Sequence, residues 1–211
     1  MANENGELEI NNTETSETNE TSETSETIET SETSETTNNE ECDAAQDTFL
    51  NDTWTLYFHD PDNDLWEIES YVPLATVSTV QEAADLHEAL KAYWCNGMFF
   101  LMREHILPIW EDEHNANGGC FSFKVSKSEV PEFWKRLSCS ALGESMFAPG
   151  AKVNGLPIAW NRICGVSISP KRSFCILRLW VEHKELGDPV LYTMEHPAYT
   201  KIMFRPFSEV A

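Results

Sequence analysis

Between two apolar runs, Met98 to Met102 and Phe121 to Val125, lies the stretch Pro108-Ile-Trp-Glu-Asp-Glu-His-Asn-Ala-Asn-Gly-Gly119. Short apolar runs bounded by turn residues read as strands, and the polar stretch as a loop closed by its two glycines. The loop displays a flat indole, Trp110, beside fixed carboxylates at one rim of a sheet. An indole face attracts cations and a carboxylate accepts N–H donors. The pair therefore suits a planar cation that carries N–H groups.

The rest of the pattern agrees with a sheet. Trp54, Leu56 and Phe58 alternate with Thr55, Tyr57 and His59, the period of a half-buried strand. Asp60-Pro-Asp-Asn-Asp64 is a turn by composition, and Trp66 to Val72 resumes extended structure, so the two strands pair antiparallel. Thr79-x-x-Glu82 is a capping box, and a helix follows to about Tyr93 with Val80, Ala83, Ala84, His87 and Leu90 on one side. Asn96-Gly97 stops it. Ser126-x-x-Glu129 offers a second capping box, with Ser128 as a competing cap. The second helix carries Phe133, Trp134, Leu137 and Leu142 and ends at Gly143. Residues 148–157 form a surface loop, and 158–168 and 173–181 a strand pair around the basic turn Pro170-Lys171-Arg172. Extended segments 190–194 and 201–204 follow, separated by His196-Pro197. Strand pairs with interspersed helices and no β-α-β alternation predict an α+β fold, a mostly antiparallel sheet with helices on one face.

Charge divides the chain. Of 36 acids, fourteen lie in residues 1–46 with no Lys or Arg, which leaves the remainder at 22 acids against 14 bases, a net charge of −8. From Glu14 to Glu35 a Glu recurs at every third position among Thr and Ser. That period leaves no apolar helix face, so residues 1–46 are expected to be a disordered tail and 47–211 the folded domain. A negatively charged body is a poor grip for long nucleic acid, which is held by Lys and Arg on phosphates, but it can hold a nucleotide or an RNA end. The six cysteines have no C-x-x-C spacing and lie mostly in apolar patterns, which points to a reducing compartment, the cytoplasm, over a disulfide framework. No signal peptide or membrane span is read, so no membrane partner is expected. No metal-ligand spacing and no Gly-rich phosphate loop is present, so neither a metal nor a cofactor is expected.

Trp66 and Trp110 both stand at loop edges beside acids, whereas most of the other tryptophans fall in core patterns. Two such rings about 7 Å apart can sandwich a planar ring, with ~1–2 kcal/mol of cation–π attraction per face when desolvated. Glu111 can accept two parallel N–H bonds, and guanine offers N1–H and N2–H side by side. Such charged bonds contribute ~1.5–3 kcal/mol. Lys171 and Arg172 could hold phosphates attached to that nucleoside. Each of these residues also has a blander reading: rim packing for the tryptophans, a solvated turn for the charges.

Taken together, Trp54-Thr-Leu-Tyr-Phe58, Trp66, Ile109-Trp-Glu-Asp-Glu113, Gly118-Gly119, Phe133-Trp134, Gly143-Glu-Ser145 and Leu179-Trp180 resemble the eukaryotic translation initiation factor 4E family. The resemblance implies a curved antiparallel sheet of about eight strands with two to three helices on its convex back. It also implies recognition of the 7-methylguanosine cap of messenger RNA on the concave rim, by Trp66 and Trp110 as stacking rings and Glu111 as the guanine-reading carboxylate. Methylation at N7 makes the base a cation, which suits both. The family's phosphate-binding cations fall on Lys171, Ser173 and Ile176, of which only Lys171 is basic; Arg172 or Arg178 are the available substitutes. On the back, Val80 matches the family's scaffold-binding surface, but its Trp falls on Ala84, and Lys135 and Cys139 lie near two of its leucines. A divergent 4G-like scaffold around Val80, Ala84 and Lys135 is the implied partner.

Three functions compete on this sequence. A non-catalytic cap-binding factor that recruits mRNA is favoured by Trp66, Trp110 and Glu111. A repressor or decoy is favoured by the changes at Ala84, Lys135 and Cys139. An enzyme would need two of Glu111, Asp112 and Glu113 to converge across a cleft, and neighbours on one loop rarely do.

Overall fold

The computed structural model describes residues 47–194 and 201–209. The tail expected over 1–46, and His196-Pro197, lie outside the described residues. Alternation carries the first strand, β1 (Phe49–His59), which pairs antiparallel with β2 (Tyr71–Thr79) on one side and β3 (Met98–Arg103) on the other. After β3 come β4 (Gly119–Ser126), a small hairpin β5 (Lys152–Val153) and β6 (Leu156–Pro157), then β7 (Ile163–Pro170), β8 (Phe174–Val181) and β9 (Met203–Pro206). Among the described residues seven strands form one antiparallel sheet in the order β2-β1-β3-β7-β8-β4-β9. The α+β expectation holds.

Two helices cover one face, α1 (Val80–Leu90) and α2 (Val130–Leu142). The capping box of α1 forms as read: the Thr79 hydroxyl accepts the Glu82 N–H at 3.1 Å, and the Glu82 carboxylate accepts the Thr79 N–H at 3.0 Å. Glu82 also takes the Ser78 N–H at 2.7 Å, and these bonds hold its carboxyl below its ordinary pKa. The helix is shorter than expected, and residues 91–96 are turns. Its rotation differs too. Ala83 is buried with Leu86, His87 and Leu90 partly so, while Val80 and Ala84 face outward. At α2, Ser126 does bond to Glu129, but Glu129 itself is the cap residue and makes no side-chain cap bond. Pro131 in the first turn has no N–H to be capped.

Trp54, Leu56, Phe121, Phe123 and Trp134 belong to the core between sheet and helices. The opposite face carries a second apolar cluster around Tyr71, Phe100, Met102 and Trp180, with Tyr57 and Ile109 packed against it. Two segments depart from the sequence reading. Residues 190–194 are not a strand: Pro189–Leu191 is a 3-10 turn capped by Asp188, whose carboxylate accepts the Val190 N–H at 3.0 Å. The 148–157 loop holds the β5–β6 hairpin, turned by Asn154 (φ 53°) and Gly155 (φ 81°), the left-handed pair that a two-residue hairpin demands.

Candidate functional site

The segment 60–70 leaves the sheet at the end where His59 pairs with Met98. Its turn folds on its own side chains: Asp60 accepts the Asp62 N–H at 3.0 Å and Asn63 the Leu65 N–H at 2.9 Å. Trp66 follows and is 54% exposed. Its indole lies flat on the His59 imidazole, centroids 4.4 Å apart and planes 9° from parallel. His59 is fully buried, and its Nε2 donates to the Leu65 carbonyl at 2.8 Å. Tyr71 leans against His59 at 4.9 Å, and Phe100 against Tyr71 at 5.2 Å.

The segment 104–118 leaves from the opposite end, where Arg103 pairs with Trp54, yet it doubles back over the same face. Ile109 packs on the second apolar cluster. Asp112 is the knot: its carboxylate accepts the Leu107 N–H at 3.0 Å and the His114 N–H at 2.9 Å. Asn115, fully buried, donates its amide to the carbonyls of Leu107 at 2.9 Å and Ile109 at 2.7 Å. Gly118 closes the loop because a Cβ there would collide with the Val181 carbonyl. Trp110 is thereby held 38% exposed, and its Nε1 donates to Glu111.

Electrostatics tie the two segments together. Burial raises the Tyr71 phenol to about 12, the Glu111 charge adds to the rise, and Arg178 opposes it. Tyr57 is likewise raised by burial and by Asp112. Tyr71 thus touches the His59 of the Trp66 stack and is acted on by the Glu111 charge. Arg178 lies on the same face, pairing with Ser167 and Ser122, half-buried, and donating to Ser169 at 3.2 Å. Lys171 and Arg172 are exposed on the β7–β8 turn, where the Lys171 N–H donates to the Phe174 carbonyl. Of the five site residues read from sequence, Trp66 stacks on His59 beside Tyr71, Trp110 bonds its neighbour Glu111, whose charge acts on the Tyr71 phenol, and the two turn cations stand at the hairpin tip. The sequence reading missed His59, Asp112 and Asn115 as supports. An Asp followed three residues later by an Asn in a polar loop is the one signal that could have found the last two.

Of the other five tryptophans, Trp54, Trp94, Trp134 and Trp180 are core, and Trp160 is 43% exposed. On the helical side, Val80, Ala84, Lys135 and Cys139 are all exposed. There α1 meets α2 where His87 Nε2 and the Ser138 hydroxyl lie 2.8 Å apart. Burial and the Lys135 charge hold His87 below its ordinary pKa. Among the described residues five cysteines are free, no cluster could hold a metal ion, and no helix is long and apolar enough to cross a membrane.

An antiparallel sheet backed by two helices, with an aromatic-and-acid loop from either end packed on its other face, defines an α+β module. The model of the eukaryotic initiation factor 4E family matches residues 49–205, and the chain belongs to that family, one of initiation factors and not of enzymes. Translation initiation factor 4E of Eremothecium gossypii is 31% identical over 121 residues, 54% of this chain and 57% of that protein. The chain spans about half the length of the curated relatives it matches. The fold is that of solved relatives. Caenorhabditis elegans initiation factor 4E-3, in complex with the 4E-binding protein Mextli and a cap analog, superposes with a TM-score of 0.62 at 17% identity, over 78% of this chain and 95% of that one. Ascaris suum 4E-3 with m7G cap gives 0.53 at 23% identity, over 66% and 76%.

Proposed function

We propose that this chain binds the 7-methylguanosine 5′ cap of mRNA between Trp66 and Trp110, reads the guanine edge with Glu111, and recruits the message for translation initiation. The observation that carries this reading is the half-exposed Trp66 ring, stacked on His59 against Tyr71, a phenol on which the Glu111 charge also acts. Family membership supports it, as do two relatives solved with cap or cap analog. Chemically, the outer face of Trp66 is open, and the Trp110–Glu111 bond gives way to a purine that brings its own N–H donors. The phosphates run toward the cations of β7–β8: Arg178 on the face, Lys171 and Arg172 at the tip.

The test is fluorescence titration. 7-Methyl-GTP quenches tryptophan emission and GTP does so far less. Trp110→Ala removes one ring and weakens binding of the methylated nucleotide by about tenfold, the size of a desolvated cation–π contact. Equal responses to the two nucleotides would reject the reading.

A second reading, repressor or decoy with weakened scaffold binding, is favoured by one observation: Ala84 is exposed on α1, where a large aromatic anchor would give an interface its energy. A divergent 4G-like scaffold docked around Val80, Ala84 and Lys135 belongs to the recruiting reading instead. Cap resin loaded with this chain that recovers an ordinary initiation scaffold counts against the repressor reading.

A further inference from the structure

Trp66 follows a turn and is more than half exposed, so its own packing fixes the indole weakly. A ring that is to serve as one wall of a narrow slot must nevertheless be held, because a loose wall spends binding energy on its own ordering. His59 does this twice over. Its imidazole lies under the indole, 4.4 Å away and 9° from parallel, and its Nε2 donates to the carbonyl of Leu65, the residue before Trp66. A carbonyl can only accept, so Nε2 carries the hydrogen. Its Nδ1 is enclosed and has no hydrogen-bond partner in the protein. His59 is itself wedged by Tyr71 at 4.9 Å, and Met98 stands opposite it on β3. Tyr71 is the titratable group that faces it.

We propose that His59 is a positioning and specificity-determining residue: it closes the inner face of Trp66 with a flat ring and leaves the outer face as the surface offered to a cationic base. The inference rests on the cap-binding reading of Trp66. The physical reason is that an indole has two faces and one quadrupole. A flat ring on the inner face fixes the indole's angle and leaves the outer face to the cation. Without that plate the indole turns on its side-chain bonds, and the preference for a charged base over a neutral one falls with it.

The experiment compares His59→Ala, His59→Phe and His59→Gln with the wild type, using 7-methyl-GTP and GTP. The ratio of the two affinities is the readout, since a general loss of structure lowers both together. His59→Ala lowers that ratio about three- to tenfold, the span of one cation–π contact. His59→Phe restores a flat plate and so restores the ratio, although it lacks the bond to Leu65. His59→Gln keeps an N–H for Leu65 but has no ring, and does not. A His59→Ala protein with the wild-type ratio overturns the proposal, as does rescue by Gln and not by Phe. If the Ala variant fails to fold, the Phe and Gln comparison decides alone. Acrylamide quenching without nucleotide, with Trp66→Phe identifying the Trp66 signal, separates the two failures. If the wild type does not discriminate between the nucleotides, the cap reading fails. In that case easier quenching of Trp66 in His59→Ala still establishes the plate, and unchanged quenching removes it.

Discussion

The carboxylate of Asp112 accepts the backbone N–H of Leu107 at 3.0 Å, and so closes the Trp110 loop on itself. The same side chain takes the His114 N–H, and Asn115 ties the loop's carbonyls from the other side. Asp112→Ala leaves two N–H groups without their acceptor. A loss of about 1–3 kcal/mol in urea unfolding is expected for a hydrogen-bonded carboxylate of this kind. Affinity for 7-methyl-GTP falls with it, although Asp112 is not proposed to touch the ligand. Asp112→Ala with wild-type affinity would detach the loop brace from binding.

Arg103 gives the second prediction. Its guanidinium is buried, lies 4.6 Å from the Trp54 ring and 4.9 Å from the Trp160 ring, and bonds Asp52 at 2.8 Å and the Ile163 carbonyl at 3.1 Å. Glu144 stands 3.7 Å away in a left-handed backbone conformation, φ 54°, its other oxygen taken by Asn51 at 2.7 Å. Arg103→Ala strands Glu144 as a buried, under-compensated charge and removes the filling between two indoles. A destabilisation of about 3–5 kcal/mol is expected. Arg103→Ala combined with Glu144→Gln costs less than Arg103→Ala alone. A double-mutant cycle in chemical denaturation checks this, and strict additivity would contradict the pairing.

Local pattern carried much of this architecture. Alternation found β1, the apolar runs found β3 and β4, and the basic turn found the β7–β8 hairpin. What it could not reach were relations set at long range. His59 alternates in the sequence on the side of Thr55 and Tyr57, which suggests a wetted residue, yet Trp66 folds back to cover it. Asn115 is one polar residue among several, and two carbonyls decide its burial. Val80 and Ala84 share the expected helical face with Ala83, His87 and Leu90, but α1 docks through Ala83, Leu86, His87 and Leu90, so Val80 and Ala84 are turned outward. The candidate site residues were singled out because loop-edge tryptophans beside acids are conspicuous. The face presented by Arg178 was not, since one strand does not reveal which side of a sheet is covered.

On the cap-binding reading, that face is the one the phosphates would cross. Arg178 is near enough to Tyr71 to oppose its rise in pKa, whereas Lys171 and Arg172 stand exposed at the tip of the turn. Arg178→Ala therefore weakens 7-methyl-GTP more than 7-methylguanosine nucleoside. The double change Lys171→Ala, Arg172→Ala acts weakly and fades as salt is raised. Titration of both ligands at two salt concentrations reads the difference. Equal loss for nucleoside and triphosphate in Arg178→Ala would mean that Arg178 supports the fold and not the phosphates.

Tyr71 supplies a prediction in pH. The folded chain holds its phenol at about 12, above the ordinary value of 10.0, because of burial first and the Glu111 charge second. A free tyrosine in the unfolded chain gives up its proton lower, near 10. Between the two values the folded state binds more protons than the unfolded one, so stability falls as pH rises through that window and is unaffected below it. Tyr57 and Tyr192 are raised too, so the wild-type slope is a sum. Tyr71→Phe removes one share of it. Glu111→Gln is the sharper arm: with the neighbouring charge gone, the late-titrating phenol moves back toward the ordinary range, while Arg178→Ala moves it further up. Phenolate absorbance during alkaline titration follows both. If Glu111→Gln leaves the titration where it was, the Glu111 charge does not act on Tyr71, and the support it lends to the cap-binding reading is lost with it.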